Sequence, residues 1–184
     1  MAKVYIFLAD GYEEIEGLTV VDLLRRANIE IQMVSITGDL LVTGSHRITT
    51  KADLLFEQSD YSDADMLVLP GGMPGTRNLL EHVGLDSLLR KFHSKGKRLS
   101  AICAAPSILG SKGILQDKDA ICYPGFEKEL TGAKVIDEAV VVDGNVITSK
   151  GLGTAIDFSL AIIECLAGKA EAVNIAKAIQ FEHN

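Results

Sequence analysis

The chain contains no tryptophan, only three cysteines and four prolines, and a deficit of positive charge. Each shortage excludes a class of protein. Cys103, Cys122 and Cys165 are odd in number and widely spaced, which rules out a disulfide framework and a CxxC-type metal site. Mean hydropathy is +0.22, yet no stretch approaches the ~20 apolar residues that span a bilayer. Against 25 Asp+Glu stand 18 Lys+Arg, a formal net charge of −7. The longest basic run is Lys95–Gly96–Lys97–Arg98, so binding nucleic acid by phosphate neutralisation has no footing. The first ten residues lack the basic start, apolar middle and cleavage site of a secretion signal, and a cytoplasmic location is expected. Neither GxGxxG nor a GxxxxGK loop occurs. Without a phosphate loop or a tryptophan to bracket an isoalloxazine, no flavin or other cofactor is expected.

What is present is an alternation of two periods. Lys3–Leu8 is a short β-rich apolar run, as a buried parallel strand would be. After Asp10–Gly11 the spacing turns helical, with Ile15, Leu18, Val21 and Leu24 at three-residue steps. Further strands are predicted at Ile29–Ile36, Asp65–Leu69, Arg98–Ile102, Ala120–Tyr123, Val140–Asp143 and Val146–Ser149. Leu40–Lys51 reads as a small hairpin, and Asp143–Gly144 marks another. Helical spacing fills Arg77–His82, Leu85–Phe92, Pro106–Gly113, Thr154–Ala167 and Ala170–Phe181. Strand–helix–strand repetition predicts an α/β fold, a mostly parallel sheet with helices on both faces. With 184 residues and no linker, low-complexity segment or repeat, a single domain over 1–184 is expected.

In such a sheet ligands gather where loops leave the carboxyl ends of the strands. Three loops fall there: Asp10–Glu16, Leu69–Gly72 and Ala101–Pro106. Cys103 ends an apolar strand just before Pro106, the arrangement of a nucleophile elbow. Unpaired amides at the following helix start would stabilise a thiolate, and the bland alternative is an inert buried cysteine. Glu13, Glu14 and Glu16 would ordinarily form a solvated helix start. An ionised Glu16 beside Cys103 would raise the thiol, whereas a buried, protonated Glu16 would donate to the thiolate. Gly71–Gly72 can present backbone amides to an anion, and with Ala104 could form an oxyanion hole. None of His46, His82, His93 and His183 stands beside Cys103 or makes a metal-like pair at short spacing, so no metal is expected and each reads as solvated. Cys165 reads as core; Cys122 precedes Tyr123–Pro124 at a strand end, and a redox partnership with Cys103 is disfavoured.

Taken together and in order, Gly-x-Glu-Glu-x-Glu at Gly11–Glu16, Leu-Pro-Gly-Gly at Leu69–Gly72, Ala-Ile-Cys-Ala-Ala-Pro at Ala101–Pro106 and Thr-Ser-Lys-Gly-x-Gly-Thr at Thr148–Thr154 resemble the ThiJ/PfpI superfamily. The branch they resemble is that of the Parkinsonism-associated deglycase (DJ-one), over essentially the whole chain. The resemblance implies a flavodoxin-like three-layer sandwich, usually a homodimer, with the cysteine on a nucleophile elbow. It makes Cys103 the reactive cysteine, Glu16 its carboxylic-acid partner, and Gly72 and Ala104 the amides of the anion pocket. Ser149 and Lys150 match a Ser–Arg pair, and Lys keeps the charge but loses the planar fork. The intracellular-protease branch has a His after its nucleophile; here that residue is Ala104, which disfavours proteolysis. Tyr123 stands where a His assigned to glyoxalase chemistry often lies, and a phenol is a poor base at neutral pH. The expected function is a cysteine-dependent glyoxalase or deglycase acting on methylglyoxal, glyoxal or their adducts with proteins or small molecules. The competing reading is a redox sensor or redox-linked chaperone using the same cysteine.

Overall fold

The computed structural model describes residues 2–181. In chain order the elements are β1 (Lys3–Leu8), α1 (Glu14–Arg26), β2 (Glu30–Ser35), β3 (Leu41–Thr43), β4 (Thr49–Lys51), β5 (Leu54–Leu55) and β6 (Met66–Leu69). They continue with α2 (Gly75–Glu81), α3 (Val83–Ser94), β7 (Arg98–Ile102), α4 (Pro106–Ser111), β8 (Asp119–Ala120) and β9 (Lys134–Val135). The chain closes with β10 (Val140–Asp143), β11 (Val146–Ser149), α5 (Ala155–Ala167) and α6 (Lys169–Ala178).

Seven strands form one sheet in the order β10-β11-β7-β6-β1-β2-β5. All neighbours are parallel except the β10–β11 hairpin at one edge. Period-two alternation divides β1 between two cores. Val4, Ile6 and Leu8 face α1, α5 and α6 with Val20, Leu24, Phe158 and Ile162. Tyr5 and Phe7 face the opposite layer with Leu79, Leu85, Leu89, Phe92 and Ile108. Burial on both faces explains why these strands read as unbroken apolar runs. The doubly wound, three-layer arrangement is the one expected. Among the described residues no helix is long and apolar enough to cross a membrane.

Four expectations change. The strand at Ala120–Tyr123 contracts to Asp119–Ala120, paired with β9 in a separate two-stranded sheet. Its remaining amides are taken elsewhere: Ile121 donates to the Thr148 hydroxyl at 3.0 Å and Tyr123 to the Cys103 carbonyl at 2.7 Å. Ile15 does not join the buried stripe of α1, which runs through Gly17, Val20, Val21 and Leu24. Cys165 is half-buried, not core, and its sulfur accepts from Arg98 Nε at 3.0 Å. His82 is no solvated bystander either: it caps α3, Nδ1 accepting from the Leu85 amide at 3.0 Å, with its ring edge-on to Phe56.

Candidate active site

The parallel register brings the ends of β6, β7 and β11 level, with Leu69 opposite Ala101 and Ile102 opposite Ser149. Cys103 is the next residue. Its amide donates to the Ser149 carbonyl at 2.9 Å and its own carbonyl accepts from Tyr123 at 2.7 Å. Between these two tethers its φ is 65°, a left-handed conformation uncommon for a residue with a side chain. Such strain persists only where the surroundings over-determine it. The sharp turn leads into α4, where Pro106 occupies the first helical turn without needing an N–H partner. The result is a half-buried thiol at the carboxyl edge of the sheet, between β6 and β11.

Glu16 comes from the first turn of α1 and is 1% exposed. Its Oε2 accepts from the Gly71 amide at 2.9 Å, and its carboxyl shares a hydrogen bond with the Cys103 side chain. Burial pushes Glu16 up to about 7, against hydrogen bonds from Cys103 and from the Gly71 and Leu152 amides. Burial also pushes the Cys103 thiol up, helped by the facing Glu16 charge and opposed by the amides of Gly72 and Ala104. A site that desolvates both groups disfavours two adjacent negative charges. The pair therefore favours a single negative charge, shared between Glu16 and Cys103.

The approach of Gly71 to this pair is close enough to forbid a side chain. A Cβ there would lie 2.5 Å from Cys103 Cβ and 2.6 Å from Glu16 Oε2. Gly71→Ala is expected to destabilise the fold by about 1–3 kcal/mol through overpacking, read by urea denaturation. Gly72, at φ 90°, faces the backbone of Tyr12 and Glu13 just as tightly.

The remaining sequence candidates divide. The amides of Gly72 and Ala104 both reach the Cys103 sulfur. Tyr123 is half exposed, and its ring lies against Gly151, where a Cβ would come within 3.2 Å of Cδ2. Ser149 touches Cys103 only through its carbonyl; its hydroxyl bonds the Ala139 carbonyl at 2.8 Å and Thr154 Oγ1 at 2.6 Å. The Lys150 ammonium pairs with Asp137 at 2.5 Å. Cys122 is buried in the opposite core layer, where burial pushes its thiol up to about 11. His183 lies outside the described residues.

Sequence reading missed Glu14. Two of the three clustered glutamates point inward, in different directions, because successive helical positions fan around the axis. Glu14 is 1% exposed, and its Oε1 accepts from the His46 and Ile48 amides at 2.9 and 3.2 Å, closing the β3–β4 hairpin onto α1. Burial opposes its ionisation, but these hydrogen bonds win and hold it below the ordinary carboxylate value. Glu13, Glu14 and His46 together form a group able to hold a metal ion. Short-range spacing could not reveal it, since His46 lies on a different element. Gly44 was the available signal: a Cβ there would fall 2.2 Å from the Glu14 carboxyl carbon.

Fold and site together define a flavodoxin-like α/β protein carrying a cysteine on a nucleophile elbow, hydrogen-bonded to a buried glutamic acid. The DJ-1/PfpI family model matches residues 2–165, and the chain belongs to that family. Protein dj-1beta of Drosophila melanogaster is 37% identical over 181 residues, covering 97% of each chain. The chain spans 40% of the length of Protein DJ-1 homolog B of Arabidopsis thaliana, at 33% identity over 177 residues and 96% of this chain. A deglycase of Pyrococcus abyssi is 34% identical over 150 residues, 80% of this chain and 89% of that protein. Among solved structures, oxidized Toxoplasma gondii DJ-1 superposes with a TM-score of 0.96 at 33% identity, covering 100% of both chains.

Proposed function

We propose that the protein is a cysteine-dependent glyoxalase or deglycase of the carbonyl-stress defence, acting on methylglyoxal, glyoxal and their early adducts. The observation that carries this reading is the buried Glu16 carboxyl bonded at once to the Cys103 side chain and the Gly71 amide. Sulfur attacks the aldehyde carbon while Glu16 takes the thiol proton and passes it to the carbonyl oxygen, giving a hemithioacetal. The amides of Gly72 and Ala104 offset charge on that oxygen during the transfer. Glu16, again ionised, carries the proton of the former aldehyde carbon to the adjacent carbon, while the hemithioacetal hydroxyl proton passes to the oxygen on that adjacent carbon, leaving the lactoyl thioester. Water cleaves the thioester and restores the thiol, so methylglyoxal plus water becomes lactate. Tyr123 serves as a hydrogen-bond donor at the mouth, and Ser149 and Lys150 support the loop that carries Gly151. No resident cofactor enters any step.

The test is direct. Wild-type protein incubated with methylglyoxal should yield lactate in molar excess over protein, identified by NMR. Absence of lactate from folded protein would overturn the enzymatic reading. The redox-sensor reading would then take its place, favoured by the half-exposed Cys103 and by the solved relative's oxidized form.

We also propose a cytoplasmic homodimer. Ile15 and Leu152, 49% exposed each, flank Glu16 and are apolar surface that a second copy would cover. Sedimentation velocity should give twice the 19.7 kDa chain mass, and a monomer at micromolar concentration would refute the dimer.

A further inference from the structure

We propose that the open edge of β10 and the groove between it and α5 dock an extended basic peptide segment, which joins the seven-stranded sheet as a further strand. β10 ends the sheet on its side and pairs only with β11. The Lys150 amide donates to the Ala139 carbonyl, Val140 stands opposite Ser149, and Val141 opposite Thr148. Hydrogen-bonded and non-hydrogen-bonded pairs alternate along an antiparallel ladder. Val141 and Asp143 therefore bond to β11, while the N–H and C=O groups of Val140 and Val142 point outward. Among the described residues no hydrogen bond from elsewhere in the chain reaches those outward groups. Sheet edges are commonly blunted by lysine, proline or a bulge. Residues 140–142 include neither lysine nor proline, their register runs without a bulge, and Val142 is 55% exposed.

The groove beside this edge has a volume of about 330 Å³. Val140, Leu160 and Ala161 supply its apolar lining, each packed against the core beneath, and Glu138, Asp157 and Glu164 its charged lining. Residues 157, 160, 161 and 164 recur at helical spacing, so one face of α5 runs alongside β10. Alternate side chains of an added strand would stand over that face. Every charged residue of the lining is acidic, and neither Glu138 nor Glu164 forms an ion pair among the described residues. Ile15 of the proposed dimer face lies on α1, which contributes nothing to the groove.

Charge selects the occupant. A segment with Lys or Arg at alternate positions sets cations against Glu138, Asp157 and Glu164 while its backbone bonds Val140 and Val142. A second copy of this chain pairing β10 with β10 would set the same carboxylates against one another, which disfavours it. The edge also has a fixed place relative to Cys103. The Ser149 hydroxyl donates to the Ala139 carbonyl at 2.8 Å, and the Ser149 carbonyl accepts from the Cys103 amide at 2.9 Å. The start of β10 thus shares one end of the sheet with Cys103, about 10 Å away at two strand spacings. A docked chain that runs on past Glu138 emerges toward the Cys103 pocket, where a glycated side chain of the same chain would be presented. That last step rests on the deglycase reading; the docking itself does not.

Fluorescence anisotropy of the intact protein with a labelled Lys-Val-Lys-Val-Lys-Val-Lys peptide, at about 0.15 M salt, should show saturable binding of one peptide per chain. The matching Glu-Val repeat should bind at least about tenfold more weakly, and so should the basic peptide to the double variant Glu138→Lys, Glu164→Lys. Val142→Pro removes one outward donor without touching the bonds to β11, and is expected to weaken binding at least about fivefold. Both glutamates are exposed and Val142 lies on the edge, so each variant should keep the wild-type circular dichroism. Peptide addition should slow hydrogen exchange at the Val140 and Val142 amides, which contact through charge alone does not. Absence of saturable binding, binding indifferent to the charge reversals, or binding without added protection of those amides would overturn the proposal. Assembly beyond the dimer that Val142→Pro abolishes would assign the edge to a second copy and overturn it as well. The peptide is unmodified and no lactate is measured, so failure here leaves the glyoxalase reading untouched, and failure there leaves the docking site.

Discussion

Cys103→Ala is expected to lower lactate formation from methylglyoxal by at least about 1,000-fold while leaving the protein folded. Loss of a covalent nucleophile removes the whole hemithioacetal route, not one contribution to it. No other thiol can stand in. Cys122 is buried in the opposite core layer, and Cys165 is half-buried with its sulfur against Arg98. The substitution also removes the partner that shares Glu16's proton, but it keeps a Cβ at φ 65° and so leaves the elbow intact. Lactate production by the variant at the wild-type rate would sink the mechanism; unchanged circular dichroism separates the expected loss from misfolding.

Glu16→Gln is expected to have opposite effects on stability and turnover. A carboxyl raised from 4.5 to about 7 is held protonated by the folded protein where the unfolded chain has already released its proton. With more protons bound in the native state, wild-type stability falls as pH rises through the window from about 4.5 to 7. The full loss is about 3 kcal/mol, reached above the folded value, and Gln, which does not titrate, escapes it. The variant's stability advantage should therefore widen across that window and level off above it, by roughly 6–12 °C in Tm for a chain of this size. Differential scanning calorimetry at several pH values reads it directly. A gap that does not change with pH would mean Glu16 is not the buried acid described. Turnover should meanwhile fall by at least about 100-fold, because an amide cannot accept the thiol proton.

How much of this was legible beforehand depended on the range of the interaction. The strands at Lys3–Leu8 and Arg98–Ile102 match their sequence readings residue for residue, because unbroken apolar runs closed by turn residues leave little ambiguity. β5 and β9, two residues each, carry no period to read. Cys103 and Glu16 stood out through local motifs, and the structure brings them together. The direction of the thiol's shift did not, since burial is a property of the assembled layers. Glu14 was indistinguishable from its neighbours until the hairpin folded over it, and Cys165 looked apolar because its segment is, although the sulfur turns toward Arg98.

The Gly71–Glu16 hydrogen bond makes that backbone amide a natural reporter. Its nitrogen carries no side chain, takes no part in bond making, and lies 2.9 Å from the oxygen whose charge is in question. Its proton resonance, assigned once by isotope labelling, follows the charge on Glu16 through substrate addition, oxidation of Cys103 or a change of buffer. The proton's whereabouts in this site can thus be watched in the unaltered protein, with no probe attached.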